Sequence, residues 1–157
     1  MARQIVKGLT LLMSIVGLAL MSAVAANGQT AKVIAQVPFD FIVANKDFRA
    51  GECQVRKINS AGNVLSIGSA DAKTQLVTLT NGTGPAKGQK LEAKLVFHRY
   101  GNKYFLSQVW MAGEMSGREL EKSKQERAIA RELRTIASNR ASNKALYEIV
   151  EVVAMVR

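Results

Sequence analysis

The sequence predicts a mainly β protein, an antiparallel sandwich or a partly open barrel, with one C-terminal amphipathic helix. Three observations predict this fold class. Residues 33–43 alternate apolar and polar side chains, Gly101-Asn102 lies between two strand-like runs as a two-residue hairpin turn, and apolar residues after Gly113 recur at helical spacing. The 157 residues, 48% apolar and 22% charged, are typical of one globular domain.

The first 26 residues are typical of a secretory signal peptide. Arg3 and Lys7 precede an apolar stretch that ends in small residues, with Ala23 and Ala25 in the A-x-A positions of a cleavage site. An uncleaved membrane anchor is the alternative, because residues 8–26 are just long enough to span a bilayer. We therefore expect an exported protein, periplasmic or extracellular, with residues 1–26 as its signal peptide.

Strand signals dominate residues 27–112, which the sequence indicates to be a β domain. The first strand covers residues 33–43 and contains Pro38, which favours an edge position or a bulge. Further strands are predicted over 48–58, 64–67, 74–80, 90–100 and 103–111, separated by turn residues. Because an isolated hairpin is unstable in water, the six segments should pair in one antiparallel system.

The Gly101-Asn102 turn also predicts the register of the last two of these strands. Counting back from the turn, Phe97 opposes Leu106 and Ala93 opposes Trp110. One face of the hairpin should then pack in the core, and it collects Ala93, Leu95, Phe97, Leu106 and Trp110.

Residues 113–157 are predicted to form a charged helix and a C-terminal element, both packed on the β domain. Ser116 and Glu119 have the S-x-x-E spacing of a capping box, so the helix is expected over 117–138. Ile129, Leu133 and Ile136 form an apolar stripe that should pack on the body. The valines of residues 144–157 favour a strand, although a helical face also passes through this segment.

The sequence offers little material for catalysis. One His and one Cys exclude a Cys/His zinc cluster and a disulfide framework. His98 lies in a strand without an acidic neighbour, which favours a surface or packing role, and no motif supports a triad of Ser107, His98 and Asp40. The glycine-rich residues 81–88 lack the Gly-Lys-Ser/Thr order of a phosphate loop. We expect no catalytic site, no cofactor and no metal, and a protein that is not an enzyme.

Positive charge and two tyrosines are the candidate binding features. The net charge is +10, and four arginines are expected to contact an anionic envelope polymer or lipid surface: Arg127, Arg131, Arg134 and Arg140. Mixed charges that only solvate the helix are the alternative. Tyr100 and Tyr104 flank the hairpin turn, where they can stack on a sugar or peptide. We do not expect binding to nucleic acid, because the chain is predicted to be exported and contains no nucleic-acid recognition motif.

Three blocks of the sequence, VPFDFIV (37–43), FRAGECQV (48–55) and LVFHRYGNKYFLSQVW (95–110), carry a resemblance. They resemble a family of small exported proteins of environmental bacteria, over about residues 33–134. In that family the second block usually reads Leu-Pro-Ala-Gly followed by an aromatic residue, whereas here Arg49 replaces the Pro and Cys53 the aromatic residue. The resemblance implies an exported β-rich domain with a charged C-terminal helix, no known activity, and a packing position for Cys53.

The leading expectation is therefore an exported, non-enzymatic binding or structural protein of the envelope or extracellular space. One alternative is a carrier of a small apolar ligand in a cavity between the strands. The other alternative is a hydrolase of unrecognised type, which would require a cleft lined by His98 with an acid within hydrogen-bond reach. The oligomeric state stays open.

Overall fold

The computed structural model describes residues 32–71, 73–84, 92–139 and 146–156. The predicted signal peptide therefore lies outside the described residues. The described chain forms strands and one helix in the order β1 (Lys32–Val37), β2 (Phe41–Val43), β3 (Lys46–Phe48), β4 (Gly51–Lys57), β5 (Val64–Ser69), β6 (Gln75–Thr83), β7 (Lys94–Tyr100), β8 (Lys103–Trp110), β9 (Gly117–Leu120), α1 (Lys124–Asn139) and β10 (Glu148–Val156).

Eight of the strands close into an antiparallel barrel. Their order is β8-β7-β10-β1-β4-β5-β6-β9, and β9 pairs back onto β8 through Gln108 and Glu119. The prediction of a mainly β, antiparallel fold is confirmed. The prediction of a sandwich or a partly open barrel is wrong, because the closed barrel leaves no free edge between these strands. The closing strands β9 and β10 both come from residues 113–157, where the sequence signals a helix and an ambiguous element.

The remaining two strands form a short hairpin at the side of the barrel. The single strand predicted over residues 33–43 is split, because the backbone leaves the sheet between Val37 and Phe41, around Pro38, which has no N–H to donate. β2 pairs with β3 and also runs parallel to β8, with Ile42 opposite Phe105. The turn predicted to start at residues 45–46 is shorter than expected, since strand β3 already begins at Lys46.

Alternate side chains of the barrel strands point inward and form the main core. Phenylalanines occupy much of it: Phe97 meets the edges of Phe39 and Phe41, at ring-centroid distances of 5.2 and 5.4 Å, and Phe41 stacks on Phe48. The fully buried aliphatic residues around them include Val33, Val37, Val43, Val55, Leu65, Ile67, Leu95 and Val109. The barrel interior is thus filled by side chains, as expected for eight strands, and this packing does not favour a ligand carrier.

The β7–β8 hairpin has the predicted turn but not the whole predicted register. Gly101 has a φ of +59°, and Phe97 opposes Leu106 as expected. A bulge next to Phe97 then shifts the register, so that Lys94, and not Ala93, opposes Trp110. Because one extra residue moves every later side chain to the other face, Trp110 lies on the outside of the barrel.

The helix begins later than the sequence predicts. Residues 117–120 are strand β9, and α1 starts at Lys124, where Ser123 Oγ accepts a hydrogen bond from the Glu126 backbone N–H at 3.0 Å. Ser123 and Glu126 also have S-x-x-E spacing, so this second motif, and not the first, is the N-cap. The helix is also not the last element, since β10 follows it. Within the described part of the chain, no helix is long and apolar enough to cross a membrane.

A second, smaller core lies between α1 and the outer face of the barrel. Tyr100, Phe105 and Ala130 are buried there. Ile129 and Leu133 of the predicted stripe pack against them, whereas Ile136 is exposed. The helix is therefore held on the outside of β7 and β8.

Candidate functional site

A buried pair of ionisable side chains joins α1 to the barrel wall. His98 points outward from the middle of β7, and its Nδ1 lies 3.0 Å from Glu126 Oε1 in the first turn of α1. The side chains are 9% and 4% exposed, so water solvates neither of them freely. A carboxylate on one ring nitrogen fixes the orientation of an imidazole and leaves Nε2 as its free polar atom.

Two tyrosines complete this network. The Tyr100 hydroxyl donates to Glu126 Oε1 at 3.3 Å, and the Tyr147 ring lies on His98 with a centroid distance of 4.1 Å. Burial, and then the negative charge of Glu126, raise the pKa of Tyr100 above its ordinary value. Tyr100 is therefore a neutral donor at any physiological pH, and one carboxylate oxygen serves both the histidine and the tyrosine.

His98 also lines an open cleft on the outer wall of the barrel. The cleft has a volume of about 370 Å³ and crosses the outer faces of β10, β7, β8 and β9. Its apolar side chains include Val96, Trp110 and Ile149, and its polar side chains include Gln108, Glu119, Lys122 and Glu151. The volume of this cleft lies in the range of small-ligand sites, and its lining is more polar than that of most of them.

A larger cleft of about 750 Å³ lies at the β4–β5 end of the barrel. Exposed charged side chains of both signs line it, among them Arg49, Glu52, Asp71 and Lys73. A hydrogen bond from Ser69 and one from the Lys73 backbone lower the pKa of Asp71, which keeps its carboxylate ionised. These side chains are exposed to water, so ion pairs among them contribute little and they offer no preformed chemistry.

Three of the four predicted polyanion-binding arginines lie on α1. Arg127, Arg131 and Arg134 are all exposed. Arg127 forms an exposed ion pair with Glu121 at 3.2 Å. The fourth predicted residue, Arg140, lies outside the described residues.

The two tyrosines predicted to stack on a ligand lie elsewhere than in the cleft. Tyr100 is 6% exposed and is covered by the helix. Tyr104 stacks on Phe39 with a centroid distance of 3.8 Å, and the Arg99 guanidinium lies 5.5 Å from its ring centre. A stacking role for both tyrosines stays a prediction, although protein groups already occupy the positions beside their rings.

Other candidate groups have structural partners. The Asp40 carboxylate accepts a hydrogen bond from the Ala50 N–H at 2.7 Å, so it does not serve His98 as a triad acid. Cys53 is buried, and burial raises the pKa of its thiol to about 12, which keeps it unreactive. Within the described residues, no three His, Cys, Asp or Glu side chains are arranged to hold a metal ion.

Sequence reasoning missed Glu126, Tyr147 and Trp110 as parts of a site. Glu126 lies 28 positions from His98 along the chain, so no local motif joins the two residues. The overlooked signal was the second S-x-x-E motif, which places Glu126 in the first turn of an amphipathic helix. Comparison with known proteins adds no identification, since no family model, no curated protein and no solved structure matches the chain.

Proposed function

We propose that this protein is an exported, non-enzymatic binding or structural protein that contacts anionic envelope material through α1. The shared chemistry of the partner is a dense array of negative charges, on an acidic polymer or on lipid headgroups. The predicted signal peptide supports this proposal, and so does the net charge of +10, of which Arg3 and Lys7 in the signal peptide supply two. No cofactor and no nucleic acid is part of it.

The observation that carries the proposal is the position of the arginines on α1. Arg127, Arg131 and Arg134 follow each other at i, i+4 and i+7, which places them within an arc of about 60° on a helix. Glu132, the exposed acid of this helix, lies on another flank, and Glu126 is buried. The arginine stripe, defined by these three residues, is thus a positive surface on a helix whose opposite face is fastened to the barrel.

Binding to vesicles and to an acidic polysaccharide tests the stripe. The chain from residue 27 is titrated with vesicles that contain an anionic phospholipid, and separately with immobilised alginate, at several salt concentrations. Each arginine near an anionic surface contributes about 1 kcal/mol, so Arg→Gln at all three positions should weaken vesicle binding about 100-fold. The arm that loses affinity identifies the lipid or the polymer as the source of the negative charge.

A charge-matched variant is the control. Gln at Lys32, Arg56 and Lys73 removes the same charge from β1, β4 and the β5–β6 turn. This variant should bind within about threefold of the unaltered protein, because these charges lie outside the β7–β8 wall that α1 covers and exposed charges are screened over a Debye length. Equal losses in both triple variants would mean that only net charge matters, and would refute a binding surface on α1.

A hydrolase is the second candidate, and the His98–Glu126 pair is the observation that favours it. A carboxylate-held imidazole that lines a cleft is the arrangement of a general base. Within the described residues, however, no hydroxyl or thiol group hydrogen bonds to the imidazole of His98, so a protein nucleophile has no support. Hydrolysis of nitrophenyl esters that is lost in His98→Ala would favour this candidate over the non-enzymatic one.

A further inference from the structure

The cleft on the outer wall of the barrel presents side chains from strands that are paired on both sides over most of its area. β7, β8 and β9 each have a neighbour on both sides at Val96, Gln108 and Glu119. β10 pairs with β7 through Ile149 and Glu151, and with β1 only at Ala154–Val156. Over β7, β8 and β9, recognition is therefore left to side chains.

Trp110 determines which polar atoms Gln108 presents. The indole Nε1 donates a hydrogen bond to Gln108 Oε1 at 3.0 Å. An indole N–H can only donate, so it binds the amide oxygen and leaves the two N–H donors of Gln108 for a ligand. Glu119 is the direct cross-strand neighbour of Gln108, and it accepts no hydrogen bond from the described residues. A pair of donors therefore lies beside a free carboxylate acceptor.

The charges of the cleft are balanced. Glu151 accepts a hydrogen bond from Lys94 at 2.8 Å. The ammonium of Lys122 lies 5.6 Å from the ring centre of Tyr147 and is a positive counterpart to Glu119 in the same cleft. A site without excess charge does not select an anion or a cation. A site with this many polar groups does not select an apolar chain either.

We propose that this outer cleft binds a short neutral oligosaccharide. Hydroxyl groups are both donors and acceptors, so they match the adjacent Gln108 amide and Glu119 carboxylate. The C–H face of a sugar ring can pack on Ile149, which is 64% exposed in this cleft, while Val96 and Trp110 are buried beneath the surface. His98 adds one more polar atom, Nε2, which Glu126 holds in a fixed orientation before the ligand arrives.

Trp110 is the single tryptophan of the chain, so its fluorescence reports on this cleft. The chain from residue 27 is titrated with di- and trisaccharides of glucose and of N-acetylglucosamine, and with a trisaccharide of galacturonic acid for comparison. We expect a saturable change in Trp110 emission with at least one neutral probe. Gln108→Ala and Glu119→Ala should each weaken binding about tenfold, because each leaves sugar hydroxyls unpaired.

Two controls separate this site from the arginine stripe. Gln54→Ala removes the same amide from the outer face of β4, where Gln54 donates to Glu52, and should leave the affinity within about twofold. The arginine-stripe variant should bind the neutral probes unchanged. The inference is overturned if emission and calorimetry detect no neutral probe at roughly 10 mM, a concentration that reveals even weak binding. It is also overturned if only the acidic trisaccharide binds, or if the two cleft variants bind as tightly as Gln54→Ala.

Discussion

Replacing Glu126 by Leu should destabilise the fold far more than any surface change. The substitution removes the acceptor of His98 Nδ1, at 3.0 Å, and of the Tyr100 hydroxyl, at 3.3 Å, while both donors stay buried. An unsatisfied buried donor costs about 1–3 kcal/mol. Because the substitution leaves two such donors unpaired, we expect the free energy of unfolding to fall by about 2–6 kcal/mol.

Equilibrium unfolding in urea at neutral pH measures this loss, with circular dichroism as the probe. Glu132→Leu on the exposed side of the same helix is the matched control, and should change stability by no more than about 0.5 kcal/mol. Glu126→Gln keeps one acceptor oxygen for His98 and should cost only about 1–2 kcal/mol, which supplies a folded variant if the leucine variant does not fold.

A double-mutant cycle tests the cause of the loss. Leu at both His98 and Glu126 removes both members of the pair. The double variant should therefore lose less free energy of unfolding than the two single variants lose together, by at least about 1 kcal/mol. The reasoning is refuted if Glu126→Leu costs no more than Glu132→Leu. Additive single losses would equally show that the two side chains do not stabilise each other.

Three further predictions test other parts of the fold. Ser123→Ala should lower the free energy of unfolding by about 1 kcal/mol, because Ser123 caps the helix. Ser116→Ala should change it by almost nothing, and unfolding in urea measures both variants. Gly117→Ala places a Cβ 2.6 Å from the Trp110 ring, so it should lower the melting temperature and shift the tryptophan emission. Burial raises the pKa of Cys53 from 9.0 to about 12, so ionisation in the unfolded chain lowers stability above pH 9. Relative to Cys53→Ala, the protein should lose about 2 kcal/mol between pH 8 and pH 10.5, and a parallel pH dependence of the two would contradict this.

The β strands were predictable wherever local pattern and turn chemistry agree. The alternation of side chains places β1 and the Gly101 turn places the connection between β7 and β8, because side-chain period and positive φ are local properties. The bulge beside Phe97 has no such local signal, and it reverses the face of Trp110. Closure of the barrel was equally invisible, since β9 and β10 find their partners only in three dimensions.

The position of the helix could have been derived from the strands. Outward-facing Val96, Tyr100 and Phe105 are all buried, so β7 and β8 are apolar on both faces and require a cover outside the barrel. The amphipathic stripe of α1 is the element suited to cover them, and once Ile129 packs there, the first turn of the helix comes to lie over β7. That docking brings Glu126 to His98. The buried pair is therefore a consequence of covering a two-faced strand, and a variant that loosens the apolar contact, such as Ile129→Ala, should weaken the hydrogen bond between the two side chains without touching either.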